Sequence, residues 1–362
     1  MEKIVRGREW MMTGVAVLLL GVLGVLGNSG REIAEVLRGR IRLCLEVLIP
    51  SLFACMAAAN LLQQSGGAQI LGRQCARFFR KSGWSASFLG VFVISQLAGY
   101  PVGIILLRRL VRAGEISIAD AQRLSAVCFG GGPSFSVGLA GAQLFGDVRI
   151  GWYLWGCGVL ANLCFARRIR PKYRDAPQES EVTDCRVDAL ILTESVAGAV
   201  RSLVGICGVV LLFGVLTWML EWVGIIPMLC GIGTIFRVPK HQTAAFFAVL
   251  LDITQLSGFC RSGIPAQAAI PLTTFFLSFG GICVCMQCKA LGGEIVSWKR
   301  LIGIRILVGI LAAGFSVVPM LWDSEIYVHS VFFSFEHSVS AVSPLASLLI
   351  FLTGFPLIIK KD

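Results

Sequence analysis

Ser95-Gln96-Leu97-Ala98-Gly99-Tyr100-Pro101-Val102-Gly103 is an apolar run broken at its centre, and beyond a basic link a second run breaks at Gly130-Gly131-Gly132-Pro133. In hydrocarbon an interrupted helix strands backbone N–H and C=O groups, so such breaks persist only where protein buries them or where they line a polar cavity. The pattern returns. Ser95 to Tyr100 is matched by Thr254-Gln255-Leu256-Ser257-Gly258-Phe259, and Phe129-Gly130-Gly131 by Phe279-Gly280-Gly281. Short apolar segments interrupted by glycine at corresponding places in two halves point to a transporter binding site.

The composition around these breaks is that of a polytopic membrane protein. Of 362 residues, 56% are hydrophobic and 15% charged, and mean hydropathy is +0.79, well outside the balance of soluble domains. The net charge of +11, from 32 Lys and Arg against 21 Asp and Glu, is carried on short links between apolar runs. Cytoplasmic loops and contacts to anionic lipid look like this. No basic stripe lies on a soluble element, so membrane lipid is an expected partner and nucleic acid is not. Most of the thirteen Cys sit inside apolar runs and read as small hydrophobes, not as a disulfide framework. In the densest group Cys283 falls well away from Cys285 and Cys288 around a helix, with no His or carboxylate adjacent, so no metal site is expected.

Taken in order, Lys3, Arg6 and Arg8 precede an apolar run at 10–27, read as a retained signal-anchor helix. The charged stretch 31–42 reads as an interfacial amphipathic segment. A span at 43–62 leads to a link with Arg73, Arg77, Arg80 and Lys81 and no acid, and the broken run 85–107 is followed by Arg108, Arg109, Arg112 and Arg123. With basic links at both ends, that run is expected to enter from the cytoplasm and turn back. Crossings at 124–145 and 152–166 end the first repeat, 43–167. The polar stretch 168–201 is a cytoplasmic connector. The second repeat, 202–319, has a span to 220, a broken run at 241–259, a glycine-broken run at 266–286 and a crossing at 301–318. An acidic outer link and a last helix at 342–359 complete the chain. The expected fold is an all-α polytopic membrane protein, about eight transmembrane helices plus two re-entrant segments. The halves enter from opposite faces, an inverted repeat, with both termini cytoplasmic.

The breaks supply the candidate site. Gln96 and Gln255, beside Ser95 and Thr254, occupy matching places. Either they face a shared solute or each amide satisfies the backbone freed by its own break. Asp252 is the one acid well inside an apolar segment and is the candidate ion-coupling residue, or else a local cap or a partner of Arg201 or Arg261. Tyr100, beside Gly99 and Pro101, suits stacking on a flat solute. Gly130, Gly131, Gly132 and Pro133, with Gly280 and Gly281, offer backbone N–H groups to an anion or pack helices closely. Ser134, Ser136, Ser278 and Gln287 are further lining candidates. No P-loop, HExxH or GxSxG motif occurs, and His241, His329 and His337 lie at run ends or in the outer link, so neither enzyme chemistry nor a cofactor is expected. A secondary carrier of a small anionic or heteroaromatic solute is the leading reading, and a non-transporting membrane scaffold the alternative.

The chain also resembles the YlbJ family of sporulation integral membrane proteins, within the nucleoside-recognition gate-domain group. The likeness rests on Gly99-Tyr100-Pro101-Val102-Gly103, Gly114-Glu115-Ile116 with Ala121 and Arg123-Leu124, Cys128, and Gly132-Pro133 with Phe135. In the second half it rests on Leu251, Ile253-Thr254 and Phe279-Gly280-Gly281 with Gln287. It implies an inner-membrane protein of spore formers, moving dipicolinate toward the forespore, with a homo-oligomer or other sporulation membrane proteins as partners. This chain departs from relatives at Phe129-Gly130-Gly131, where they carry an Asn-Asn-Ser type run, at Gln255, where they carry Asn, and at Cys283 and Cys285, where they carry Ser and His.

Overall fold

The computed structural model describes residues 13, 20, 21, 23–76, 84–169, 188–260 and 262–318, and among them every regular element is helical. Most of the expected anchor at 10–27, Arg77, Arg80, Lys81, Arg261, most of the connector, the outer link and the last helix lie outside the described residues. Three unbroken helices are long and apolar enough to cross a membrane: α8 (Val148–Arg168), α9 (Ala189–Trp222) and α15 (Trp298–Val317). A fourth span, Gln267–Ile295, is made of α13 (Ala266–Phe279) and α14 (Gly281–Gly292), which meet at Gly280. At about 1.5 Å per residue, the 21 residues of α8 match a hydrocarbon core of about 30 Å.

A fifth candidate span is bent. Helix α1 (Gly30–Leu43) passes through a π-helical turn, Cys44–Leu48, into α2 (Ile49–Gln64), and the two arms differ by 53°. A π-turn followed at once by Pro50 accounts for the kink. The stretch read as an interfacial segment is therefore continuous with the following span. Its Arg40 is buried.

The remaining elements are short. Helix α3 (Gly67–Ala76) packs on α4 (Ala86–Ala98), and α4 turns through 99–101 into α5 (Val102–Arg112). Then α6 (Ile118–Leu124) ends, a turn at 125–128 and an irregular stretch at 129–132 follow, and the π-wound α7 (Ser134–Leu144) begins. Residues 124–145 are thus not one crossing. Three glycines keep 130–132 out of a helix until Pro133 leads into α7, and the break seen in the sequence outweighs the apolar length. In the second half α10 (Ile225–Ile235) packs on α11 (Lys240–Leu251), which breaks before a 3-10 turn, Ile253–Gln255, and α12 (Leu256–Cys260). Side chains of Ser85, Ser117, Asp147 and Asp188 accept from backbone N–H groups to start α4, α6, α8 and α9, satisfying donors that lipid cannot.

The order of α2–α8 is echoed by α9–α15: long helix, short helix, broken pair, broken pair, long helix. The counterparts α2 and α9 pack together, as do α8 and α15. The echo shifts one pairing. Helix α4 ends at Ala98 and α11 at Leu251, which sets Gly99 opposite Asp252. Gln96 lies in the last turn before its break, whereas Gln255 follows its own.

Candidate functional site

The four breaks meet. Tyr100 N–H donates to Gly130 O at 2.8 Å, and a Cβ on Gly99, at φ 76°, would stand 2.7 Å from Gly132 N. The two interruptions of the first half thus interlock backbone to backbone, which only glycine permits. Gly280, at φ 85°, brings the second half against them: a Cβ there would meet the Phe129 ring at 2.8 Å and the Tyr100 ring at 3.5 Å. Gly281 backs onto Ile253 N, 3.1 Å from where its Cβ would be. The Tyr100 ring lies 5.1 Å from Phe129 and 6.1 Å from Phe135. The Tyr100-Pro101 peptide is cis.

At the break after α11, Asp252 is wholly buried and caps the next turn. Its Oδ1 accepts from Thr254 N–H at 3.0 Å and its Oδ2 from the Thr254 hydroxyl at 2.7 Å. Its charge is met by Arg40 of α1, with Nη1 3.2 Å from Oδ2. The same Nη1 donates to Thr254 Oγ1 at 2.9 Å. Gln255, with its amide oriented by this network, accepts from Arg40 Nη2 and, at 3.3 Å, from Nη1. Opposite the Arg40 stem, α9 carries Gly214, where a Cβ would lie 2.8 Å from Cγ. A fully desolvated ion pair holds only with such supporting hydrogen bonds.

Asp252 and Thr254 also line a cavity of about 20 Å³, with Leu48 and Leu52, Tyr100 and Phe135, Ile206 and Val210 of α9, and Cys283, Val284 and Gln287 of α14 among its other walls. That is room for about one water, not a solute. The Tyr100 hydroxyl is buried without a hydrogen-bond partner among the described residues. Gln287 donates to Cys283 Sγ at 3.6 Å.

A second buried network lies behind the first break. Gln96 Nε2 donates to Val127 O at 3.1 Å and Ser95 Oγ at 3.0 Å, and Oε1 accepts from Asn162 Nδ2 at 2.8 Å. Asn162 also donates to Phe129 O at 2.9 Å. Its Oδ1 accepts from Arg305 of α15 at 2.6 Å. Arg305, fully buried, donates further to Ala126 O at 3.0 Å and to Ser278 O, and its guanidinium carbon stands 4.5 Å from the centre of the Phe129 ring. This arginine ties the carbonyls freed by both glycine breaks to α8 and α15. Its acceptors are all neutral.

Comparison with curated proteins finds 24% identity over 306 residues, 76% of this chain and 74% of the relative, with the sporulation integral membrane protein YlbJ of Bacillus subtilis (strain 168). The chain is YlbJ-like. No family model matches, and no solved structure matches.

In this YlbJ-like membrane protein the residues singled out by sequence divide between two networks. Asp252, Thr254, Gln255, Tyr100 and Gln287 belong to the cavity and its ion pair, Ser95 and Gln96 to the Arg305 network, and the glycines form the seams. The two amides are each held by their own neighbours. Ser136 donates to Gly131 O at 3.1 Å; the Ser134 side chain lies outside the described residues. Asp252 pairs with Arg40 and not with Arg201, and Arg261 lies outside the described residues. Sequence reading missed Arg40, Asn162, Arg305 and Gly214. For Arg305 and Asn162 the signal existed, a polar side chain inside each of the runs 301–318 and 152–166; for Arg40, one of several arginines on a polar helix, there was none.

Proposed function

We propose that this YlbJ-like protein is a secondary carrier of a small anionic or heteroaromatic solute, with dipicolinate the first candidate. The observation that carries the reading is the convergence of four helix breaks on a buried Arg40–Asp252 pair beside a small cavity. Broken helices that meet at a polar site in the bundle are how carriers place binding sites within the membrane, and buried intramembrane charges belong by default to ion or solute pathways. The echoed element order supports a repeat, and in this reading the repeat is inverted with re-entrant breaks, the chain crosses about eight times and both termini are cytoplasmic. Asp252 is the coupling residue. Tyr100, Thr254, Gln255, Gln287 and the glycine seams at 99, 130–132 and 280–281 bound the path. A cavity with room for about one water is the narrow state of this path, which widens toward either side in turn.

The same tight fit favours the alternative, a scaffold whose broken helices only pack. Purified protein in liposomes separates the two. Uptake of labelled dipicolinate above empty liposomes, responding to an imposed pH or sodium gradient, is expected of a carrier. Absence of flux for a panel of small aromatic carboxylates under every gradient would leave the scaffold.

A further inference from the structure

We propose that Arg40 is the carboxylate anchor of this site and that Asp252 occupies the anchor until a solute displaces it, so that one proton enters with the carboxylate that takes its place. The inference rests on the carrier reading and adds to it the binding residue and the stoichiometry.

Asp252 lies between Arg40 and the cavity: it lines the cavity and pairs with Arg40 at 3.2 Å, whereas Arg40 is not among the lining residues. The guanidinium fork is therefore engaged by a carboxylate already, with Thr254 Oγ1 and the Gln255 amide oxygen completing its acceptors. A guanidinium holds one carboxylate in this way as readily as another. Close by, Tyr100 lines the same cavity, and its hydroxyl is buried with no partner among the described residues. It is a donor suited to a solute carboxylate, and nothing else in the described structure uses it.

Charge balance sets the stoichiometry. The pair carries one positive and one negative charge and is neutral. Adding a solute carboxylate alone would leave two anions against one cation in a desolvated site, a heavy cost. If Asp252 takes a proton on Oδ2, its bond to Arg40 weakens, the solute carboxylate replaces it, and the site is neutral again. The titratable groups facing Asp252 are Arg40 on α1, Cys44 on the π-turn, Tyr100 at the first break and Cys283 on α14. Asp252 is the acid among them. The hinge beside the pair lets the swap reach the cavity walls, because the π-turn just after Arg40 supplies Leu48.

The test is equilibrium binding of labelled dipicolinate and of benzoate to the full chain in nanodiscs between pH 5.5 and 7.5, with folding checked by circular dichroism and gel filtration. Wild-type Kd should fall about tenfold for each unit of acidification while free Asp252 is ionised, as one linked proton requires. Asp252→Asn should bind with no pH slope. Because Arg40→Gln alone strands Asp252, the anchor is tested in the charge-balanced double variant Arg40→Gln/Asp252→Asn, which should bind about 100-fold more weakly than Asp252→Asn. Equal affinity in those two variants, a retained pH slope in Asp252→Asn, or no binding of either probe by the wild type at any pH would each overturn the proposal. Liposome flux keeps the two readings apart. The expected binding pattern without flux upholds the anchor and removes the carrier, and flux that survives unchanged in the double variant upholds the carrier and removes the anchor.

Discussion

Arg40 Nη1 stands 3.2 Å from Asp252 Oδ2, joining the helix that enters the first repeat to the break of the second. Neither side chain is exposed by more than 10%, so the pair is desolvated and each partner depends on the other. Removing one leaves a bare charge in a low-dielectric site, while removing both leaves none.

Asp252→Leu is therefore expected to lower stability by about 3–5 kcal/mol, and Arg40→Met by a similar amount. The double replacement should come close to wild type or exceed it. Thermal unfolding of the four purified proteins in detergent measures this cycle; a double variant as unstable as the sum of the singles would show that the two charges are not coupled.

The neutral acceptors around Arg305 make geometry matter more than charge. Lysine keeps the charge but cannot reach Ala126 O, Ser278 O and Asn162 Oδ1 as one planar fork. Arg305→Lys should lose about 2 kcal/mol of stability, the scale of a hydrogen bond to a charged group. Unchanged melting would mean that the fork does not hold the breaks.

Gly214 and Gly208 lie on the same helix and offer a matched comparison. A Cβ at Gly214 meets Arg40 Cγ at 2.8 Å, whereas at Gly208 nothing lies within 4 Å. Gly214→Ala should destabilise by about 1–3 kcal/mol, as overpacking does. Gly208→Ala should be neutral or stabilise by up to about 1 kcal/mol through helix propensity. Chemical or thermal denaturation of both decides, and equal effects would mean that Arg40 does not pass there.

The breaks, the helical class and Asp252 were legible in the sequence because glycine clusters and a lone acid stand out against an apolar background. Arg40 was not, because its neighbours Arg31, Arg38 and Arg42 are polar too and only the bend at the π-turn turns it inward. The pairing of Gln96 with Gln255 misread the register for a similar reason. Matching residue types aligned the two amides, but the ends of α4 and α11 align Gly99 with Asp252, and a backbone break is set by where hydrogen bonding fails, not by side-chain likeness.

Sidedness tests the proposed inversion of the repeats. If the repeats are inverted, the link after α3 and the end of α5 face the cytoplasm, and the link between α10 and α11 faces the opposite side. Single cysteines replacing Arg73 and Arg112 in a cysteine-depleted background should react with impermeant reagent only from the cytoplasmic face, and one replacing Arg237 only from the other. All three reacting from one face would remove the inverted repeat.

The two amides give the last prediction. Gln96 bonds to Asn162, Val127 O and Ser95, while Gln255 bonds to Arg40. They share no partner. Gln96→Leu strands Val127 O and one N–H donor of Asn162 Nδ2 in a buried place, a loss of about 1–3 kcal/mol. Gln255→Leu removes one acceptor from Arg40, which keeps Asp252 and Thr254, so its loss should be nearer the lower end of that range. With no common network, the losses should add to within about 0.5 kcal/mol in the double variant. Melting temperatures of the four proteins without solute test this directly. A coupling well above that figure would mean that the two amides meet in one site after all, and the seam between the networks would have to be redrawn.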